Sequence, residues 1–209
     1  MAAQAVARVF ELAEIGGGYI GLEIGGFLAK FGTKVTVLEA APETLGGVVD
    51  KECAQVVVRK LKKMGVEIIN GAKAKSWKKA SGNLEVTADV GGKDRVFAAE
   101  KILVTVGRRP NSDQLNLKGI GVSFDERGFV KVNPQMKTNF PNIYAIGDIA
   151  GQPMLAHKAS HEGVLVAEVI AGQNRVFDAK TVPAIIFTDP EIASAGLTEE
   201  QARAKGYTD

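Results

Sequence analysis

The chain has 209 residues, 45% of them hydrophobic and 24% charged, with a formal net charge of +2. That length suits one large or two small soluble globular domains, and so small a charge gives no electrostatic case for a nucleic-acid or membrane partner. No apolar run approaches the ~20 residues that a membrane helix needs, and the N-terminus lacks the charged, apolar and cleavage regions of a secretory leader; these features point to the cytoplasm.

The first element is the least regular. Residues 8–15 carry three charges among eight positions (Arg8, Glu11 and Glu14), and residues 1–12 favour helix over strand, with Ala2, Ala3, Ala5 and Ala7 all present. Glu14 would be costly facing a core. Next comes Gly16-Gly17-Gly18-Tyr19-Ile20-Gly21-Leu22-Glu23, in which Gly16, Gly18 and Gly21 form G-x-G-x-x-G at the start of a predicted helix. Gly16 permits a tight turn, Gly18 lets a pyrophosphate approach the backbone N–H groups, and Gly21 allows close packing of helix on sheet. The helix N-terminus adds unpaired donors and a positive dipole end. The run Lys34-Val35-Thr36-Val37-Leu38-Glu39 reads as a buried strand, and Glu39 falls 18 positions after Gly21, where a carboxylate accepts from a ribose. That carboxylate would repel a 2′-phosphate, and residues 40–45 offer no Arg or Lys to hold one, so NAD is favoured over NADP.

The helix over 19–31 stops at Gly32, and a second amphipathic helix over 51–64 stops at Gly65. A buried strand over 66–69 follows. Strands alternating with helices predict an α/β fold, a Rossmann-like domain with a parallel sheet and right-handed crossovers. Cys53, the one cysteine, excludes an intrachain disulfide. Its place early in the second helix, with no histidine nearby, predicts a half-buried structural thiol. Residues 72–99 turn to period two, broken at Ser81-Gly82-Asn83 and Gly91-Gly92, which predicts an inserted antiparallel meander. The lysines at 60, 62, 63, 73, 75, 78 and 79 fit solvated faces. Residues 102–106 return to the parallel sheet, and Arg108-Arg109-Pro110-Asn111 marks a domain boundary. Beyond it the pattern predicts two strands over 121–132 around Asp125-Glu126-Arg127-Gly128, and a short strand over 143–146 ending in Gly147-Asp148. A helix over 156–171 follows. A strand over 184–187 then precedes the Asp189-Pro190 turn, and a last helix opens on the capping box Thr198-Glu199-Glu200-Gln201. The ending at Asp209 looks premature for this pattern.

The stretch Thr138-Asn139-Phe140-Pro141-Asn142-Ile143-Tyr144-Ala145-Ile146-Gly147-Asp148 is more specific. Together with the 16–23 fingerprint, Val106-Gly107-Arg108-Arg109-Pro110-Asn111 and Met154-Leu155-Ala156-His157-Lys158-Ala159, it resembles bacterial dihydrolipoamide dehydrogenases, which are flavin-dependent pyridine nucleotide-disulfide oxidoreductases. The likeness runs from about Ile15 to the C-terminus; the residues before it do not fit. It implies an NAD-binding domain at 1–107, a central segment contacting FAD at 108–181, and the start of a dimer-interface domain at 182–209.

In that frame Asp148 would accept from the hydroxyls of the flavin's ribityl chain, and Met154, Leu155, Ala156 and His157 would line the isoalloxazine edge. Gly107 would lie near the nicotinamide ribose, Ala74 beside the adenine, and Glu23 at the nicotinamide end. The alternatives are a helix-capping Asp148 and a solvated Glu23. His157 and His161 have the four-residue spacing of zinc pairs, but no third ligand follows, so no metal is expected. The resemblance further implies a homodimer and, as partner, the dihydrolipoyl group of a 2-oxo-acid dehydrogenase complex. The family's chemistry uses an FAD domain with its own fingerprint, a C-x₄-C pair and a C-terminal His-Glu pair. This chain has one fingerprint, one cysteine and no H-P-x₃-E. The expectation is therefore an internal piece without catalytic residues, which binds NAD while FAD belongs to the complete parent enzyme. A stand-alone dinucleotide-binding module is the alternative of another class. A piece of a sibling such as glutathione or mercuric reductase is disfavoured by Glu39, because those enzymes use NADPH.

Overall fold

Four parallel strands organise the first of two units into which the described residues, 10–208, divide in the computed structural model. This unit holds the described residues up to Gly107 together with those from Ile185 onward; Arg108–Ala184 form the second. Strands β1 (Glu11–Ile15), β2 (Lys34–Glu39), β3 (Glu67–Asn70) and β7 (Lys101–Val104) lie in the order β3-β2-β1-β7. Helix α1 (Tyr19–Lys30) joins β1 to β2, and α2 (Lys51–Lys63) leads into β3. The helical propensity expected of residues 1–12 falls mostly outside the described residues; from Glu11 the chain is strand. Pairing on both sides, with Leu12 opposite Val35 and Lys101, outweighs local preference there.

Side chains alternate across this sheet. Leu12, Val35 and Val37 face Leu22 of α1 and Val57 and Leu61 of α2 in one buried cluster. Ala13 and Leu38 face the other way, towards Val86, Ala88 and Ala99. The latter come from the antiparallel meander of β4 (Ala72–Ala80), β5 (Asn83–Val90) and β6 (Lys93–Ala99). Its two-residue turns, Ser81-Gly82 and Gly91-Gly92, have positive φ at both positions, the backbone that suits the twist of a hairpin. Both helices end as their glycines predict: Gly32 and Gly65 have φ of +87° and +86° and donate back to Ala29 and Lys62.

Strand β8 (Ala184–Ile186), which enters this unit at Ile185, pairs with β9 (Ile192–Ser194), and Ile186 and Ile192 join the first cluster. Helix α4 (Glu199–Ala204) opens on the full capping box of Thr198 and Gln201. Cys53 corrects its expectation, for it is exposed. The buried face of α2 runs through Ala54, Val57 and Leu61, and residue 53 lies off that stripe.

In the second unit, α3 (Ala156–Ile170) is the one α-helix among the described residues. The two strands expected over 121–132 reduce to a single antiparallel bridge between Phe124 and Val130, and the strand over 143–146 to a bridge between Lys137 and Tyr144. Asp125 accepts from the amides of Arg127 and Phe129, which tightens the turn, and no further strand extends either ladder. At Gly147–Ile149 the chain forms a short 3₁₀ turn. No helix among the described residues is long and apolar enough to cross a membrane.

Candidate functional site

The three fingerprint glycines have distinct surroundings, and these match three distinct tasks. Gly16 has φ of +109°, and a Cβ there would stand 2.8 Å from the carbonyl oxygen of Thr105. The Thr105 hydroxyl donates to the carbonyl of Gly16 at 3.1 Å, closing the end of β1 against the end of β7. A Cβ on Gly21 would overlap Glu14 Oε1 and stand 2.6 Å from the Gly16 carbonyl oxygen, so this glycine seats α1 on the sheet. Gly18 is the reverse case. A Cβ there meets no protein atom within 4 Å, so its surface is open. Gly18 is also the N-cap of α1, and no side chain caps that end. The first N–H groups of Tyr19, Ile20 and Gly21 thus start a helix with a positive end and no anionic cap.

Glu39 comes to the same loop. Its Oε2 accepts the Gly17 N–H at 2.5 Å and its Oε1 accepts the Ala41 N–H at 2.6 Å, which fixes the half-buried carboxylate at the tip of β2. Leu45 donates its N–H to the Gly17 carbonyl from a left-handed backbone with φ of +58°. Leu22 is buried beneath the loop.

Glu23 is half-buried, and its Oε1 accepts the Phe187 N–H at 2.8 Å. A contact across 164 positions leaves no local trace, so sequence reading could not find Phe187. Gly107 has φ of +120° with open space at its Cβ position, just past β7. Ala74 is half-buried against the meander cluster, next to a register shift in β4. Thr105 and Leu45 leave no local trace either, because their contacts depend on where β7 and the 40–50 loop pack.

The same loop covers one buried acid. Glu14 lies on the helix-facing side of β1 with no exposed surface, and neither of its oxygens has a hydrogen-bond partner. Loss of hydration alone pushes its pKa from 4.5 up to about 8.

The second unit gathers Asp148, Met154, Leu155, Ala156 and His157. Asp148 follows Gly147 in the 3₁₀ turn, and its carboxylate is exposed. Arg108 links two of these parts: Nη1 lies 3.9 Å from Asp148 Oδ2, and Nη2 donates to the Met154 carbonyl at 3.0 Å. Behind the turn, Glu162 Oε2 accepts the Gly147 N–H at 2.7 Å, and Glu162 Oε1 pairs with Lys158 Nζ at 2.7 Å. Both side chains of that pair are buried. Met154 is buried, Leu155 is the N-cap of α3 without a side-chain cap, and Ala156 begins the helix. His157 Nε2 donates to the Pro183 carbonyl at 2.8 Å, while the His161 ring meets Phe177 edge-on at 5.6 Å. The two histidines thus have separate partners, and among the described residues no three His, Cys, Asp or Glu side chains group to hold a metal.

A glycine loop over an open helix N-terminus, with a strand-end acid beside it, is an arrangement with which α/β folds can hold a dinucleotide. Residues 5–163 match the pyridine nucleotide-disulphide oxidoreductase family, and residues 182–208 match the dimerisation domain of the same proteins. The chain belongs to the pyridine nucleotide-disulphide oxidoreductase family. It is 48% identical over 195 residues to a dihydrolipoyl dehydrogenase of Geobacillus stearothermophilus, covering 93% of this chain and 41% of the relative. The dihydrolipoyl dehydrogenase of Bacillus subtilis is 47% identical over 94% of this chain and 42% of its own length. The chain therefore spans about two-fifths of the curated relatives it matches. Among solved structures, the HOCl-induced flavoprotein disulfide reductase RclA of Escherichia coli aligns with a TM-score of 0.88 at 31% identity, over 96% of this chain and 46% of that one.

Proposed function

We propose that this chain is the NAD-binding portion of a dihydrolipoyl dehydrogenase: residues 1–107 bind NAD, 108–181 contact FAD, and 182–209 begin the dimer interface. The observation that carries the reading is the open Gly18 at an uncapped helix start, with Glu39 anchored at the same loop. Identity of 45–48% to curated dihydrolipoyl dehydrogenases supports the choice within the family. The loop N–H groups hold the pyrophosphate, Glu39 takes the adenosine ribose hydroxyls, and Glu23 and Gly107 border the nicotinamide end. Asp148 binds the ribityl chain, while the uncapped start of α3 favours negative charge at the flavin ring. FAD, when bound, supplies the relay of an electron pair between a dithiol and the nicotinamide. In the complete parent enzyme, a homodimer, that dithiol is the dihydrolipoyl group of a 2-oxo-acid dehydrogenase complex. The isolated chain binds NAD and does not catalyse.

Calorimetry with NADH and NADPH tests the reading. The Glu39 carboxylate opposes a 2′-phosphate, so NADH binds at least tenfold more tightly, a difference of about 1.4 kcal/mol. Equal affinities would remove the role given to Glu39, and absence of binding would remove the site.

A further inference from the structure

Among its described residues, the first unit fully buries one ionisable group, and the proposed dinucleotide site does not use it. Glu14 stands two residues before Gly16 with no exposed surface and no hydrogen-bond partner at either oxygen. Its carboxyl fills the room left by the missing side chains of Gly21 and Gly25, since a Cβ at either position would overlap it. It is paired across the sheet with Val37 of β2 and Leu103 of β7.

The charged groups on the surrounding elements are committed elsewhere. Glu11 and Lys34 pair with each other at 3.0 Å, and Lys30 of α1 pairs with Asp189 at 2.9 Å. Glu23 takes the Phe187 amide and Glu39 takes those of Gly17 and Ala41. Lys101 of β7 and the Glu, Lys and Arg side chains of α2 are exposed. The Thr105 hydroxyl serves the carbonyls of Ile15 and Gly16. Burial without compensation keeps the carboxyl protonated at pH 7.

We infer that Glu14 makes dinucleotide affinity depend on a proton: neutral, it does not oppose an anionic pyrophosphate at Gly18; ionised, its carboxylate lies under the first turn of α1 and opposes it. This rests on the pyrophosphate reading of the glycine loop. Gly21, which Glu14 touches, is three residues from Gly18, or about 4.5 Å along the helix axis. A like charge so close in a poorly screened interior lowers affinity on the order of tenfold. Linkage then requires the converse, so nucleotide binding raises the titration midpoint of Glu14 by about one pH unit.

The test uses the full chain. NADH affinity is followed by fluorescence from pH 6.5 to 9, and the Glu14 carboxyl by ¹³C NMR with and without NADH. The dissociation constant rises about fivefold over that range in the wild type, on its way to a tenfold plateau at higher pH, and stays level in Glu14→Gln, and NADH moves the Glu14 midpoint upward. A level wild-type profile, or a midpoint that NADH leaves in place, overturns the inference while the nucleotide site stands. Failure of both proteins to bind NADH at any pH overturns the dinucleotide reading and this inference with it. If Glu14→Gln does not fold, the wild-type midpoint decides alone.

Discussion

At the scale of single residues, the glycine loop separates positions where the fold leaves no room for a side chain, Gly16 and Gly21, from Gly18, which it leaves open. A Cβ at Gly18 meets nothing, and its φ of −76° suits any residue. Gly18→Val therefore leaves the melting temperature nearly unchanged and abolishes NADH binding, because the side chain fills the space a pyrophosphate needs. At Gly21 a Cβ would overlap Glu14 and crowd the Gly16 carbonyl. Gly21→Ala therefore destabilises the chain, by about 1–3 kcal/mol for such overpacking. Urea melts and NADH titrations of both variants check the pair, and a stable, binding-competent Gly18→Val would contradict the assignment. Glu14 makes a separate stability prediction. Its pKa is raised from 4.5 to about 8 by burial, so the folded state holds the proton more tightly than the unfolded chain. The folded state is then favoured most below pH 4.5, and its advantage drains away as pH rises to about 8. The full loss is on the order of 5 kcal/mol. Glu14→Gln cannot ionise, so its stability relative to wild type rises by several kcal/mol between pH 5 and pH 9. Parallel denaturation curves at the two pH values would sink this account.

At the scale of elements, the buried Lys158–Glu162 pair ties α3 to the Gly147–Ile149 turn that presents Asp148. Glu162→Ala leaves Lys158 buried without a counter-charge and Gly147 without its acceptor, which costs about 3–5 kcal/mol. Glu162→Gln keeps an acceptor for Gly147 and protects that amide from hydrogen exchange; in Glu162→Ala the protection is lost. Equal stability and equal Gly147 exchange in wild type and Glu162→Ala would show that the turn is held by other contacts. The elements differ in how far the sequence discloses them. Helix ends at Gly32 and Gly65, and the hairpins at Ser81-Gly82 and Gly91-Gly92, are legible because each needs a left-handed backbone that local chemistry advertises. The Thr198 capping box is legible for the same local reason. Strand β1 is not, since its charges argue against burial and only pairing with β2 and β7 makes it the sheet's interior. The alternation over 121–132 is real, yet one bridge at Phe124 and Val130 is all that forms without a neighbouring strand. In the candidate site, the fingerprint and Glu39 can be read from spacing. The Glu23–Phe187 bond and the pair behind Gly147 cannot, because each depends on tertiary packing.

At the scale of the whole chain, the proposed parent chemistry meets its limit in the thiols. Exchange of two electrons with a dithiol starts when a substrate thiolate attacks a protein disulfide, and a second protein thiol resolves the mixed disulfide. Cys53 is the only cysteine, and it lies exposed on α2, away from the stripe that packs on the sheet. Two copies of the chain could join their Cys53 thiols, but such a link would sit on an exposed helix surface of the first unit. Forming the thiolate also calls for a base that works near neutral pH. The chain has two histidines, and His157 is committed to the Pro183 carbonyl while His161 packs on Phe177. Dihydrolipoamide supplied with NAD and added FAD therefore yields no NADH above the rate without protein, although the same preparation binds NADH. The decisive comparison is absorbance at the NADH band for wild type and Cys53→Ser under identical conditions. Turnover that survives Cys53→Ser would mean dithiol oxidation proceeds with no protein thiol, and the non-catalytic reading of this chain would have to be abandoned.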